Sequence, residues 1–163
     1  MSAVISPLRP KDSMEESVPP PSLKLGDELR QTEPPLDVIN GVVARGLQLG
    51  RQLGFPTANI PLAGRPQPRT GVYVVRSRLA DGRAFFGVAS VGCNPTIPKA
   101  APVLEVWLFD FDEDIYDQML STELLTYLRE EHRFSSVTAL IDQVFADAKQ
   151  ARRYCENHAL SLT

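Results

Sequence analysis

The residues best suited to chemistry lie in 46–59, whose sequence is GLQLGRQLGFPTAN. Glycines let the backbone take positive φ values and approach a ligand closely, and exposed N–H groups in such a loop suit an anionic phosphate. Thr57 and Asn59 stand two residues apart, so in an extended segment their side chains point to one face. Hydroxyl and amide oxygens are hard ligands that Mg²⁺ accepts beside water and substrate phosphates. The stretch therefore predicts a phosphate-binding flap that leads into a metal-binding pair.

Two better-known phosphate loops do not fit this stretch. It lacks the Gly-Lys-Ser/Thr ending of a Walker loop, and it does not match the G-x-G-x-x-G dinucleotide fingerprint that opens a helix. A glycine-rich turn before a proline-bounded strand remains an alternative interpretation of the glycines. The Pro-Thr-Ala-Asn ending (56–59) favours the phosphate flap.

Glu105 is the sharpest candidate for a catalytic group. It stands within the apolar segment VLEVWLF (103–109), where a carboxylate is costly unless it is solvated or paired. An ordinary glutamate is ionised at neutral pH and can accept the proton of a hydroxyl group. Two interpretations stay open: a general base that faces the mouth of a barrel, or an outward-facing residue on a half-exposed strand.

The remaining polar clusters carry weaker signals. The acidic segment 110–117 resembles half of a calcium loop but lacks the glycine and the terminal glutamate of that motif, which favours a solvated turn. Arg129 and Glu131 belong either to a surface charge run or to the rim of a pocket. His132 and His158, the two histidines of the chain, have no visible partner for a Ser/His/Asp or Cys/His arrangement.

Length and composition narrow the class of protein. The 163 residues have room for one domain and a tail, and residues 1–37, rich in proline and charge, are predicted to be a flexible leader before a domain over 38–163. No membrane span or secretory signal is expected. Cys93 and Cys155 favour reduced thiols in a cytoplasmic protein, and the net charge of −3 weighs against a nucleic-acid binder.

Apolar runs that alternate with turn signals predict the elements that position these residues. Strands are predicted over 38–44, 71–79, 85–91, 103–109 and 119–129, with a hairpin turn at Asp81-Gly82. From Val137 the apolar period becomes helical, and Ser135 or Ser136 is the predicted N-cap. Five or six strands followed by one helix predict a mainly β protein, a small antiparallel barrel with a helix packed on it.

Six motifs follow one another along this chain. They are GRQLGFPTAN (50–59), TGVY (70–73), GVASVGCNPT (87–96), LEVWLFDF (104–111), DIY (114–116) and LREEHRF (128–134). In this order and spacing they resemble the riboflavin kinases, or flavokinases, over roughly residues 39–152. The resemblance implies a six-stranded antiparallel Greek-key barrel with a C-terminal helix. It also implies transfer of the ATP γ-phosphoryl group to the ribityl 5′-hydroxyl of riboflavin, which gives FMN and ADP, with Mg²⁺ as cofactor.

The same resemblance implies roles for individual residues. Glu105 would be the catalytic base, and Thr57 and Asn59 would hold the metal and the phosphates. The flap that binds phosphate would comprise Gly46, Gly50, Arg51 and Gly54. The flavin would contact Asp114, Tyr116, Arg129, Glu131 and Phe134.

Two positions depart from the pattern of that family. Asp117 stands where the family usually has glycine, and its charge would change the loop that covers the flavin. Trp107 stands where the family often has a smaller or polar residue, and it would narrow or cover the pocket. Neither residue belongs to the metal-binding pair or is the base, so a kinase remains the favoured function.

Two other functions are compatible with these residues. One is a non-catalytic, regulatory module that binds a flavin or a nucleotide, and the other is a structural barrel that docks a partner through the proline-rich leader. Glu105 together with Thr57 and Asn59 favours the kinase, because a binding module needs no base. The first forty residues are too short for an adenylyltransferase domain, so FAD synthesis is not expected. The expected partners are riboflavin or FMN and ATP or ADP, with no nucleic acid or membrane, and a monomer is expected.

Overall fold

The computed structural model describes residues 33–93 and 100–162. Over these ranges the elements in chain order are β1 Asp37–Val42, α1 Leu49–Leu53, β2 Ala58–Pro61, β3 Gly71–Leu79, β4 Ala84–Gly92, β5 Val103–Leu108, β6 Met119–Arg129 and α2 Val137–Asn157. Most of the predicted leader, residues 1–32, lies outside the described residues, so its boundary at residue 37 stays a prediction. Neither of the helices in the described ranges is long and apolar enough to cross a membrane.

The strands form one antiparallel sheet in the order β1-β6-β3-β4-β5-β2. A single bridge joins its two ends, because Ala44 pairs with Asn59 and donates its N–H to the Asn59 carbonyl at 2.8 Å. This bridge nearly closes the sheet into a barrel. The predicted mainly β barrel with a C-terminal helix is confirmed.

The five predicted strands agree with observed strands to within two residues at each end. The predicted strands 71–79 and 119–129 agree with β3 and β6 at both ends. In β5 the residues Leu104, Val106 and Leu108 are buried, whereas Glu105 is exposed, as the alternation requires. Helix α1 is not among the predicted elements, because five residues are too few to show a helical period.

Two apolar clusters lie on opposite faces of the sheet. The inner cluster fills the barrel and includes Leu104 and Val106. The outer cluster joins the sheet to α2 through side chains such as Val88 and Ala151. The α2 helix begins after Ser136, whose hydroxyl accepts a hydrogen bond from the N–H of Ala139 at 3.1 Å, so one of the two predicted N-caps is confirmed.

A register shift redirects the end of β6. Tyr73 pairs with Tyr127, but Val72 pairs with Arg129, so Leu128 has no partner across the ladder. A bulge of this kind re-aims side chains. Here both Leu128 and Arg129 reach the outer face, where Leu128 packs on the outer cluster and Arg129 binds a side chain of α2.

Gly71 lies close to the backbone at this end of the barrel, and its replacement by alanine should lower the free energy of unfolding. Its φ is 146°, and a Cβ would lie 2.5 Å from the carbonyl oxygen of Arg129. Gly82 is the matched control, since its φ is 92° but a Cβ would meet nothing within 4 Å. We expect Gly82→Ala to lower the free energy of unfolding by about 1 kcal/mol and Gly71→Ala by about 2–4 kcal/mol. Urea denaturation measures both, and equal losses would contradict the steric argument.

Candidate active site

A row of residues crosses the outer face of the sheet through Glu105. Glu105 pairs with Asn59 of β2 on one side and with Ser90 of β4 on the other. Ser90 pairs with Val72 of β3, and Val72 pairs with Arg129 of β6. Directly opposed residues of antiparallel strands share a face, and five strands span about 19 Å at the usual spacing. This outer row therefore places Glu105 between the predicted metal-binding pair and part of the predicted flavin-binding set.

The side chain of Glu105 points away from the barrel core. It lies in the outer row and not at the barrel mouth, because Leu104 and Val106 on either side of it are fully buried. Solvent reaches the residue, yet packing around the carboxyl group raises the pKa of Glu105, and the nearby charge of Glu131 raises it further. A base with a raised pKa holds a proton more readily once it has accepted one.

Asn59 lies where the barrel closes, and its side chain lacks one partner. The atom Oδ1 is buried and accepts no hydrogen bond from the part of the chain that the structure describes. A buried oxygen without a partner is unfavourable, and an amide oxygen of this kind is a ligand that Mg²⁺ accepts. Thr57 and Asn59 flank the buried Ala58, so both side chains leave the core on the same side. These residues fit a metal-binding pair.

The flap contains a short helix and not a simple loop. Gly50 and Arg51 lie within α1, and Gly54, with a φ of 96°, ends it. The carbonyl of Gly50 accepts a hydrogen bond from the N–H of Phe55 at 2.8 Å, and a Cβ at Gly50 would lie 2.5 Å from the Phe55 carbonyl oxygen. Two of the predicted phosphate-binding glycines therefore already have a role in the backbone of the flap.

Gly46 makes the closest approach of the flap to the outer row. A Cβ at this position would collide with Nδ2 of Asn59. Nδ2 is the end of a flexible side chain, so an alanine at this position would displace the amide and leave the backbone in place. Gly46 thus sets where the Asn59 side chain lies.

A cavity of about 190 Å³ opens beside the flap. Arg51 and Thr57 line it together with Asp114 and Tyr116. An Asx turn shapes its far wall, since Asp114 accepts the N–H of Tyr116 at 2.9 Å, and the Arg45 guanidinium lies 4.4 Å above the Tyr116 ring. The cavity brings two predicted flavin-binding residues next to predicted ATP-binding ones.

The other three predicted flavin-binding residues do not line this cavity. Arg129 ends the outer row, and its guanidinium lies 6.0 Å from the ring centre of Phe134. The Glu131 carboxylate packs on Gly92, where a Cβ would collide with it. Burial raises the pKa of Glu131 while Arg129 lowers it. The five predicted residues thus divide into two groups.

Arg129 has a partner that was not predicted. Its guanidinium donates to Asp147 of α2, with Nε–Oδ1 at 2.9 Å and Nη2–Oδ2 at 2.7 Å. A sequence signal exists, because Asp147 stands three residues after Val144 and four before Ala151, on the apolar face of the predicted helix. A carboxylate at such a position is unfavourable unless it is paired with a buried hydrogen-bond donor or positive charge.

Asp117 has a backbone conformation that favours glycine. Its φ is 62°, in the left-handed region that L-residues other than Asn and Asp rarely adopt. The Asp117 N–H donates to the carbonyl of Val43 at 2.9 Å. The backbone of the turn therefore requires a positive φ at this position. Aspartate adopts it with a less favourable conformational energy than glycine would.

Trp107 packs between the flap and α2. Its ring centre lies 6.0 Å from that of Phe55 and 5.5 Å from that of Phe145. The aromatic cluster joins the end of the flap to the helix. Trp107 does not line the cavity beside the flap, so the expectation that it narrows or covers the pocket does not hold for that cavity.

Comparison with known proteins gives the family. A family model described as flavokinase, riboflavin kinase, matches residues 37–155. The chain belongs to the riboflavin kinase family. A bifunctional riboflavin kinase/FMN adenylyltransferase of Haemophilus influenzae is 44% identical over 116 residues, which are 71% of this chain and 38% of that protein. The RNA-binding riboflavin kinase RibR of Bacillus subtilis is 40% identical over 113 residues, 69% of this chain and 48% of RibR. The chain therefore spans less than half the length of these relatives.

A solved riboflavin kinase shares the fold. The crystal structure of riboflavin kinase from Trypanosoma brucei superposes with a TM-score of 0.51 at 23% identity and covers 73% of this chain and 79% of that one. The barrel with its closing helix is therefore an architecture of this family.

The raised pKa of Glu105 predicts that this residue destabilises the fold at neutral pH. Burial and then Glu131 raise the pKa in the folded state, so the folded protein is penalised wherever the carboxyl group is ionised, and the penalty disappears below the pKa of the unfolded chain. We expect Glu105→Gln to have a higher melting temperature than the unsubstituted protein at pH 7. The difference should vanish near pH 4. A thermal melt of Glu105→Gln below that of the unsubstituted protein at pH 7 would contradict the direction of the shift.

Proposed function

We propose that this chain is a riboflavin kinase that transfers the γ-phosphoryl group of ATP to the ribityl 5′-hydroxyl of riboflavin, giving FMN and ADP. The outer row is the observation that carries the proposal. It places an ionisable carboxylate, Glu105, between the buried oxygen of Asn59 and the guanidinium of Arg129. A base between a site for phosphate and metal and a site for the flavin is the arrangement that this transfer needs.

Phosphoryl transfer depends mainly on alignment and on neutralisation of charge. Asn59 Oδ1 and the Thr57 hydroxyl would hold Mg²⁺, which, when bound, neutralises charge on the phosphates. The described residues contain no group of three His, Cys, Asp or Glu side chains placed to hold a metal ion. The remaining ligands would therefore be phosphate oxygens and water, as is usual for Mg²⁺.

Glu105 would orient the riboflavin hydroxyl and accept its proton. The raised pKa of Glu105 brings this group nearer to the working pH, where a general base is most effective. Gly46, Gly50, Arg51 and Gly54 would form the flap over the phosphates, with N–H groups and the Arg51 guanidinium as donors.

Riboflavin would contact two groups of side chains. Arg129 and Phe134 lie at the far end of the outer row, whereas the Glu131 carboxylate lies against Gly92 of β4 and near Glu105. Asp114 and Tyr116 line the cavity that Thr57 also lines. We assign all five to flavin binding.

We further propose that the protein acts as a monomer in the cytoplasm. Its net charge of −3 supports a function without nucleic acid, unlike the relative named as RNA-binding.

The kinase assignment has a direct test. Incubation of the purified chain with riboflavin and MgATP should produce FMN, which chromatography with fluorescence detection measures. Glu105→Gln should lower turnover by about 10²-fold or more, because general-base catalysis contributes about 10²–10⁴-fold, while riboflavin binding stays nearly intact. The control is Glu156→Gln on the exposed side of α2, which should turn over normally. Absence of FMN would overturn the kinase proposal, and normal turnover in folded Glu105→Gln would remove Glu105 from the mechanism.

Gly46→Ala tests the role of Asn59 without changing a polar group. The added methyl group displaces the Asn59 amide, so we expect a small change in thermal stability and a KM for MgATP raised by about tenfold or more. In an Asn59→Ala background the same substitution should have little further effect, because groups that act through one contact are coupled. Additive effects of the two substitutions on the KM would show that Gly46 does not act through Asn59.

A further inference from the structure

Asp147 is the one buried charged residue in the described part of the chain; its exposed fraction is 3%. Besides three hydrogen bonds from Arg129, two of them from Nε, it accepts a hydrogen bond from Nε2 of Gln143 at 2.9 Å. A buried carboxylate is tolerated because these donors satisfy it. Asp147 thus lies behind the guanidinium of Arg129, on the helix that covers the outer face.

Stability alone is a poor explanation for this pair. A buried ion pair often stabilises a fold no more than apolar side chains of similar volume, since the desolvation of both charges offsets their attraction. The neighbouring positions of α2 that face the sheet, Ala148 and Ala151, are apolar. A well-defined position of the Arg129 guanidinium is what the pair provides and an apolar contact would not.

The hydrogen bonds of Arg129 leave donors for a ligand. Of its five N–H groups, Nε and one at Nη2 serve Asp147, and one at Nη1 donates to the carbonyl of Glu130 at 2.9 Å. Two N–H groups have no acceptor within residues 33–93 and 100–162. The bulge at Leu128 and the bidentate pair together fix the plane in which these two groups lie.

We propose that Asp147 is a positioning residue for riboflavin. It holds the Arg129 guanidinium from behind, so that the two remaining N–H groups meet an acceptor atom of the isoalloxazine ring at the end of the outer row. This inference rests on the proposed function. It assigns to α2 a part in substrate recognition, because the angle of the helix then sets the position of a ligand-binding group.

Asp147→Asn tests this role, since it removes the charge and keeps the shape. We expect the Kd for riboflavin, measured by quenching of flavin fluorescence, to rise by at least about tenfold. The KM for MgATP should stay within about twofold, because Asn59 and Thr57 are at the other end of the outer row. Asp147→Glu restores the charge but, because its longer side chain shifts the guanidinium, should bind riboflavin about threefold more weakly than the unsubstituted protein. Asp142→Asn, at an exposed position of the same helix, is the matched control and should bind as the unsubstituted protein does.

Two results would overturn the inference. One is an unchanged riboflavin Kd in folded Asp147→Asn, and the other is an equal weakening of both substrates along with a lower melting temperature, which indicates a structural role only. If Asp147→Asn does not fold, Asp147→Glu is the deciding variant. A riboflavin Kd raised by about threefold with an unchanged KM for MgATP supports the positioning role, and an unchanged riboflavin Kd overturns it. Failure of the kinase proposal is separate: no FMN would form, while the Kd series still reports on Asp147. A chain that binds no riboflavin would refute both.

Discussion

The site depends on how β2 completes the sheet. Asn59 pairs with Glu105 across one edge of β2, and its carbonyl accepts the N–H of Ala44 across the other. One residue therefore closes the barrel and lies beside the proposed base. The flap leaves β1 just after this point, so Gly46 comes against the Asn59 side chain. Backbone pairing therefore places the proposed metal-binding pair, the proposed base and the flap relative to one another.

Helix α2 supports both ends of the outer row. At one end Phe145 packs with Trp107 and Phe55, next to the flap. At the other end Asp147 binds Arg129. The same helix is anchored on the sheet by the outer cluster and starts at a capped residue. Rotation of α2 would move both ends of the candidate site together, so the helix supports that site although the proposed base lies on β5.

The sequence predicts what depends on local pattern and fails where three-dimensional packing decides. An apolar run bounded by turn signals predicted β3 to the residue, and period-two alternation predicted β6 to the residue. Alternation also made Glu105 conspicuous, because a carboxylate interrupts an apolar strand. The same alternation could not tell the outside of a barrel from its mouth. The sequence places Asp147 on the apolar face of α2 and so indicates that it needs a partner, but not which one. The Arg129–Asp147 pair depends on the bulge at Leu128, which leaves no signature in one sequence. The division of the proposed flavin-binding residues into two groups depends on how distant segments meet.

The interior of the barrel and the candidate site share a wall. Val106 belongs to the inner cluster and also lines the cavity beside the flap, although its neighbour Glu105 lies in the outer row. Leu104 and Leu120 belong to the same cluster but do not line that cavity. A change of volume at Leu104 therefore acts through packing, whereas the same change at Val106 also alters the shape of the cavity. The freedom of the core to vary is thus smaller on the side of the barrel that faces the flap.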